Sequence, residues 1–245
     1  MPRGVVPPLY VLRLGRVPYA QAMAVQNQLV RSHRHHKDRM DPPWKEGSQA
    51  PDVLVLCEHD PVYTVGLQQA LYPSDEEARL RKLGADFQRT DRGGLITFFG
   101  PGLLMAYPVI NLARRRCSLR LHVDQLRAAA TTACRALGVE KAEPRGPPET
   151  GVWMGNNKLC AIGVHCARHI TTHGLALSCD PDLSWFRHIV PCGLEGRGVT
   201  SLTRELGHRV STCEAVTALL PAISEAYGCR LLQAGQPSLW LGPDV

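Results

Sequence analysis

Val152-Trp153-Met154-Gly155-Asn156-Asn157-Lys158-Leu159-Cys160-Ala161-Ile162-Gly163 decides the fold class. Gly155-Asn156-Asn157 is a hairpin signal between two apolar runs, because Gly and Asn tolerate the left-handed backbone that tight antiparallel turns need. It predicts strands at Val152–Met154 and Lys158–Cys166. Ile170 to Cys179 then returns as a further strand. Working outward, Tyr10–Leu14, Val53–Cys57, Val62–Val65, Leu95–Phe99 and Leu103–Ile110 also have strand length and pattern. Helices are fewer. Tyr19 to about Arg34 and Val123–Leu137 carry apolar residues at helical spacing. Ser74-Asp75-Glu76-Glu77 and Ser211-Thr212-Cys213-Glu214 read as capping boxes, opening helices that stop near Lys82 and Tyr227. Pro221 falls inside the last helix and is expected to kink it. A short helix is expected from Asp182 to Phe186, and loops at residues 41–51 and from Ala142 to Thr150. Strands arrive in hairpins and not in strand–helix–strand alternation. The expected class is therefore α+β, with a mixed, largely antiparallel sheet and flanking helices.

The chain of 245 residues is long enough to bury a sizeable core. We read one catalytic domain over 10–230 and a C-terminal tail over 231–245. No apolar run reaches the roughly 18 residues that span a bilayer, so no membrane partner is expected. The net charge of +6 favours acidic partners. With only 6% aromatic residues there is no basic-and-aromatic ladder for stacking bases, so no nucleic acid is expected. Nine cysteines are scattered without a Cys-x-x-Cys pair, which argues against a zinc ribbon or a disulfide scaffold and for a reducing compartment. No His-x-x-x-His pair stands beside a carboxylate, and no metal is expected. Ser32-His33-Arg34-His35-His36 reads as the exposed end of a helix. Met1 to Lys37 lacks acidic residues and carries several arginines, as mitochondrial import selects; a short targeting segment within 1–15 would overlap the first strand.

Three segments concentrate unusual residues. Arg92-Gly93-Gly94 and Thr97, followed by Gly100-Pro101-Gly102, offer backbone that can approach a ligand closely, or simply two turns. Lys158 opens an apolar strand. A lysine among apolar neighbours loses solvation and can act as acid or base, whereas one at a strand edge points to water. Thr171-Thr172-His173-Gly174-Leu175-Ala176 leads towards Ile189-Val190-Pro191-Cys192-Gly193. A thiol between proline and glycine suits a nucleophile with a backbone donor beside it, and it also suits a plain turn. Lys158 or His173 could supply the cation that favours a thiolate.

Taken in order, these motifs resemble the lipoyl(octanoyl) transferases. Arg92-Gly93-Gly94, Thr97, Gly100-Pro101-Gly102 and Tyr107-Pro108 are followed by Gly151-Val152-Trp153 with Lys158 and Gly163. Thr171, His173-Gly174 and Ala176-Leu177 come next, then Pro191-Cys192-Gly193 and Val199-Thr200-Ser201-Leu202. The match runs from about Tyr10 to about Tyr227, with His59 to Gly66 as an early landmark. Its wording around His169 and His188 looks like the animal mitochondrial form. The resemblance implies the biotin/lipoate protein ligase catalytic fold and mitochondrial localisation, with no ATP, metal or other cofactor. It implies that Cys192 takes an octanoyl group from acyl carrier protein and that Lys158 serves as acid/base. The acyl group then passes to a lysine of a lipoyl-bearing protein such as the glycine cleavage H protein. Arg92, Gly93, Gly94, Thr97, Gly100, Tyr107, Ala161, Ile162, Gly163, His173, Gly174 and Ala176 would bind substrate, and the Gly193 N–H would be the oxyanion donor. Acyl carrier proteins are acidic, which suits the basic balance. The family usually has His at Phe99, Gln at Leu103 and Asn at Ser178. Two further readings stay open: an ATP-dependent lipoate ligase of the same fold, and a non-catalytic protein that binds lipoyl domains or acyl carrier protein.

Overall fold

A computed structural model of the chain describes residues 6–35, 50–193 and 196–235. Twelve strands and five α-helices follow one another along the described residues. The central hairpin forms as expected: β8 (Gly151–Met154) and β9 (Asn157–Ala167) turn at Gly155, whose φ is 52°. They join a nine-stranded sheet that also holds β1 (Leu9–Val17), β2 (Asp52–His59), β6 (Leu103–Val109), β7 (Glu143–Arg145), β10 (Ile170–Ser178), β11 (Gly198–Val199) and β12 (Leu231–Gln233). The order is β12-β1-β2-β6-β10-β9-β8-β7, with β11 attached to β9. Five of its eight pairings are antiparallel, as a mixed, largely antiparallel sheet requires. A second sheet is built from β3 (Val62–Val65), β4 (Asp86–Arg89) and β5 (Thr97–Phe99), in the order β4-β3-β5.

The alternation of side chains along the central strands divides the interior. Leu54, Leu56, Leu104 and Ala106 face one way, against α3 (Leu119–Ala136) and α5 (Thr212–Tyr227). Val53, Val55, Leu103 and Met105 face the other way, against α1 (Tyr19–His35) and the small sheet. Each layer is thus a strand face closed by apolar helix or sheet residues, with both faces of the large sheet covered.

Several local expectations are corrected. α2 (Ser74–Arg81) forms, but Ser74 lies inside it and the N-cap position, Pro73, has no side-chain cap. Its Glu76 and Glu77 pair instead with Arg79 and Arg81. α3 starts four residues earlier than its apolar spacing suggests, because the Ser118 side chain accepts a hydrogen bond from the Leu121 N–H. The Ser211/Glu214 capping box is present as read, and α5 runs as one helix through Pro221. The strand expected from Leu95 is only Thr97–Phe99. β4, β7, β11, β12 and α4 (Leu202–Leu206) were not anticipated. β12 pairs with β1 through Leu9 and Leu231, so the sheet continues past residue 230 into the expected tail. The loop expected at 41–51 lies largely outside the described residues. Of Ser32 to His36, Arg34 is exposed in the last turn of α1 as expected and His36 lies outside the described residues, but His33 turns inward, its side chain 2% exposed and 3.9 Å from Asp52.

Asp52 is the hub of a buried charge cluster. Its carboxylate accepts from Arg114 Nη2, Arg115 Nε (2.6 Å) and the Asn111 N–H (2.9 Å). Removing one charge from such a cluster strands the others without solvent. Asp52→Asn is therefore expected to cost about 3 kcal/mol or more of stability, read as a lower denaturant midpoint with an unchanged m-value.

Candidate active site

Parallel pairing of Gly198 with Asn157 and Val199 with Lys158 brings the two candidate catalytic residues together. The Thr200 N–H donates to the Lys158 carbonyl at 3.0 Å, extending that attachment. The segment just after Cys192 is thereby stitched to the strand that carries Lys158. From the other side, the Cys192 N–H donates to the Ile96 carbonyl at 2.8 Å. Cys192 itself has φ 56° and ψ 18°, a left-handed backbone that costs a non-glycine residue about 1 kcal/mol or more. The surrounding hydrogen bonds hold it there, with its side chain half-buried.

Cys192 and Lys158 both line a cavity of about 1000 Å³, at the upper end of small-molecule pockets. Arg92, Gly93, Gly94, Thr97 and Tyr107 form part of its wall, and Ala161, Ile162, Gly163, His173, Gly174 and Ala176 another part. Two expected residues are elsewhere. Gly100 is a turn residue whose carbonyl accepts from the Leu103 N–H, and a side chain there would strike the Phe98 ring at 2.6 Å. The Gly193 N–H is already spent on the Val190 carbonyl at 3.0 Å, so it is not the free oxyanion donor that its position suggested. The short helical turn Pro191–Gly193 consumes that donor.

Lys158 is 9% exposed, and its Nζ lies 5.0 Å from the centre of the Trp153 ring. Trp153 is fully buried, its indole N–H held by the Glu149 carbonyl at 2.7 Å. The ammonium therefore rests on a fixed aromatic face, and among the described residues it makes no ion pair.

Arg92 plays a different part from the one expected. Its guanidinium donates to Thr64 O (2.6 Å), Thr64 Oγ1 (2.9 Å), Gly93 O (2.9 Å) and Leu95 O (2.8 Å). It folds its own loop onto β3 rather than presenting a free fork to substrate. Burial draws its pKa below the usual arginine value, against the opposing pull of Cys192 and Tyr19. Close packing makes glycine obligatory at Gly66, where a Cβ would lie 2.0 Å from the Gly94 carbonyl oxygen, and at Gly174, where it would lie 2.2 Å from that of Ala106.

A polar network backs the wall. His173 sits at φ 59° with its side chain 2% exposed, and its Nε2 is 2.8 Å from Asp91 Oδ1. That bond holds the Asp91 carboxyl below the usual range. The His173 N–H donates to the buried Gln26 at 2.7 Å. His59 Nδ1 donates to the Val17 carbonyl at 3.1 Å, which leaves Nε2 to accept from Tyr107 OH at 2.9 Å. Asp91, Gln26 and Thr64 were not picked out from the sequence. Asp91 had the one available signal, its place directly before Arg92-Gly93-Gly94.

Phe99, Leu103 and Ser178, the three departures from the family pattern, come together. With Thr97, Ala176, Lys158 and Cys192 they line a void of about 20 Å³ next to the main cavity. Phe99 stacks on Tyr19 at 6.2 Å between ring centres. In the fold, three positions scattered along the chain, where the resemblance led one to expect His, Gln and Asn, are therefore neighbours beside the cysteine, and two of them, Phe99 and Leu103, are apolar.

This architecture is that of the lipoate ligases. It aligns over 92% of the chain with a putative lipoate protein ligase of Thermoplasma acidophilum solved with bound lipoic acid, covering 88% of that structure at a TM-score of 0.68 and 17% identity. It also aligns over 95% of the chain with a lipoate-protein ligase A bound with ATP, covering 92% of that structure at a TM-score of 0.67 and 17% identity. Residues 18–224 match the lipoyl protein ligase A/B catalytic domain, and the chain belongs to that family. The chain is 54% identical over 223 residues to the mitochondrial octanoyl-[acyl-carrier-protein]:protein N-octanoyltransferase of Xenopus tropicalis, covering 90% of this chain and 87% of that protein. It is 47% identical to the human protein of the same name, over 95% and 99% of the two chains.

Burial pulls both His59 and His122 down from 6.5 to about 4. Folded, they stay neutral; unfolded, they take protons near pH 6.5. The unfolded chain then binds more protons between about pH 6.5 and 4, so stability falls as pH falls through that window. The loss is about 1.4 kcal/mol per pH unit for each ring. Melting temperatures measured from pH 7 to pH 5 are expected to drop accordingly, and His122→Gln is expected to flatten the slope.

Proposed function

We propose that the protein is a mitochondrial octanoyltransferase of lipoate biosynthesis, moving an octanoyl group from acyl carrier protein to a lysine of a lipoyl-domain protein through a thioester on Cys192. The observation that carries this reading is that Cys192 and Lys158, 34 residues apart in sequence, share one cavity wall. The names of the Xenopus and human relatives support the donor, the activity and the compartment. The glycine cleavage H protein is the acceptor we favour within the lipoyl-domain class. Residues 10–230, extended by β12, form the catalytic unit.

In the first half-reaction the Cys192 thiolate attacks the thioester carbonyl, a new C–S bond forms as the bond to the carrier's sulfur breaks, and the departing thiolate takes a proton from the Lys158 ammonium, leaving that amine neutral. In the second, the acceptor lysine's neutral amine attacks the acyl-cysteine. Its N–H proton passes to Lys158, the Cys192 thiolate departs, and an amide remains. Exchange of one thioester for another is near neutral and aminolysis is downhill, so the cycle needs no nucleotide. Burying most of an eight-carbon chain in the cavity contributes several times ~0.8 kcal/mol per methylene before binding costs.

Intact-mass measurement after incubation with octanoyl-acyl carrier protein is expected to show one octanoyl group on the wild type and none on Cys192→Ser. Lys158→Ala is expected to slow acceptor modification by about a hundredfold or more, with folding retained. Activity that required ATP, or that survived Cys192→Ala, would favour the ligase reading instead.

A further inference from the structure

The cavity that holds Cys192 has a second rim. Leu119 and Arg120, at the start of α3, line the same space. Around them lies a surface that the chemistry described so far does not use. Leu119 and Leu121 are 42% and 47% exposed, and Arg116, Arg120, Arg168 and His169 are exposed beside them in sequence or in space. The Leu112 N–H donates to the His169 carbonyl at 2.8 Å, and Asn111 bridges to Ile170, so the turn bearing Arg116 is tied to the turn bearing Arg168. Among the described residues, none of these three arginines makes an ion pair. Their near neighbours Arg114 and Arg115 are taken up by Asp52.

The backbone supplies an independent sign. Arg168 and His169 are the two residues of the β9–β10 turn, with φ 52° and 67°. Positive φ at both positions of a two-residue hairpin is the geometry for which Asn-Gly is the favoured sequence. Arg116 also has φ 49°. Left-handed backbone disfavours side chains of this size, so all three positions carry a conformational cost that a glycine or asparagine would relieve. The bulky cations are held out to solvent where a more stable turn was available.

We propose that this rim is the docking surface for the acidic acyl carrier protein: Arg116, Arg120, Arg168 and His169 meet its carboxylates, and Leu119 and Leu121 form an apolar centre. The proposal rests on the transferase reading and adds where the donor sits. Reach favours the carrier over the acceptor. The carrier presents its thioester on a long flexible phosphopantetheine arm, which can enter at this rim and run through the cavity to Cys192. An acceptor lysine has only its four-carbon side chain, so the acceptor must sit at the cysteine itself. Unpaired arginines around exposed leucines match an acidic partner by charge and leave the cysteine end free.

The test uses the full-length variant Arg116→Gly/Arg168→Asn/His169→Gly. It removes the cations while giving each turn the residue its backbone prefers, so its melting temperature is expected to equal or exceed that of the wild type. Acylation of Cys192 by octanoyl-pantetheine, which lacks the carrier, is expected to be unchanged. With octanoyl-acyl carrier protein as donor, KM is expected to rise about tenfold at low salt, the difference shrinking as ionic strength increases. KM for the lipoyl-domain acceptor is expected to stay the same. An unchanged KM for the carrier would overturn the docking surface and leave the transferase reading standing. A rise only in KM for the acceptor would assign the rim to the acceptor and overturn the proposal. A wild type that takes octanoate from neither donor would sink the transferase reading itself, and the proposal with it.

Discussion

Two residues of parallel sheet hold the site together. Val199 pairs with Lys158 and Gly198 with Asn157, and through them the loop that carries Cys192 is fixed to the strand that carries the amine. Without that pairing, the thiol and the lysine would be separate features on a hairpin and a turn. With it, both face one cavity, and the left-handed backbone of Cys192 is braced by the Ile96 carbonyl on its other side. The two segments pass close to each other, so that a side chain on Gly198 would have to displace that of Asn157. A Cβ on Gly198 would come within 2.1 Å of the Asn157 side-chain oxygen.

The same economy of space runs through the cavity wall. Arg92 spends its guanidinium on Thr64, Gly93 and Leu95, and this lets the glycine pair lie along the edge of β9, where the Gly93 N–H meets the Val164 carbonyl. Gly163 faces the Gly93 carbonyl, and Gly174 faces that of Ala106. Gly174 need not touch substrate to be indispensable: it lets β10 pass β6 at a distance that no side chain permits, whereas a Cβ on Gly163 would sit 3.0 Å from the Gly93 carbonyl oxygen, a contact that a small shift relieves. Behind them, Asp91 partners His173 and His59 partners Tyr107, so that a histidine and a tyrosine can stand in the cavity wall without stranding their nitrogens and hydroxyl.

The void shared by Phe99, Leu103 and Ser178 adjusts the meaning of the family resemblance. Along the chain these are three separate departures. In space they are neighbours, in contact with the same small volume as Cys192 and Lys158. A wall of this kind supports the cysteine by packing, with Phe99 against Tyr19 and His59, and not by hydrogen bonds from side chains at those positions.

Local patterns were enough for the hairpin at Gly155, the capping box at Ser211 and the longer strands of the central sheet, because each depends on residues close in sequence. The part of the cavity wall on β9 and β10 came from the ordered motifs of the family resemblance, whereas the part contributed by α3 and by residues 144–150 was not read as wall at all. The strands of two to four residues, β4, β7, β11 and β12, were not legible, since so short a segment has no periodicity and becomes a strand only when a distant partner offers its edge. Gly193 failed as an oxyanion donor for a related reason: a motif shows that a donor exists, and only the folded turn shows that Val190 has already taken it. Arg92 likewise read as a ligand for substrate, when its nearest acceptors turned out to be backbone oxygens of the protein itself. The sequence by itself determined which segments hold the candidate cysteine, the candidate lysine and the close-approach glycines. The tertiary structure alone decided which of them meet, because that depends on pairings between segments far apart in the chain, whose energies no local pattern encodes.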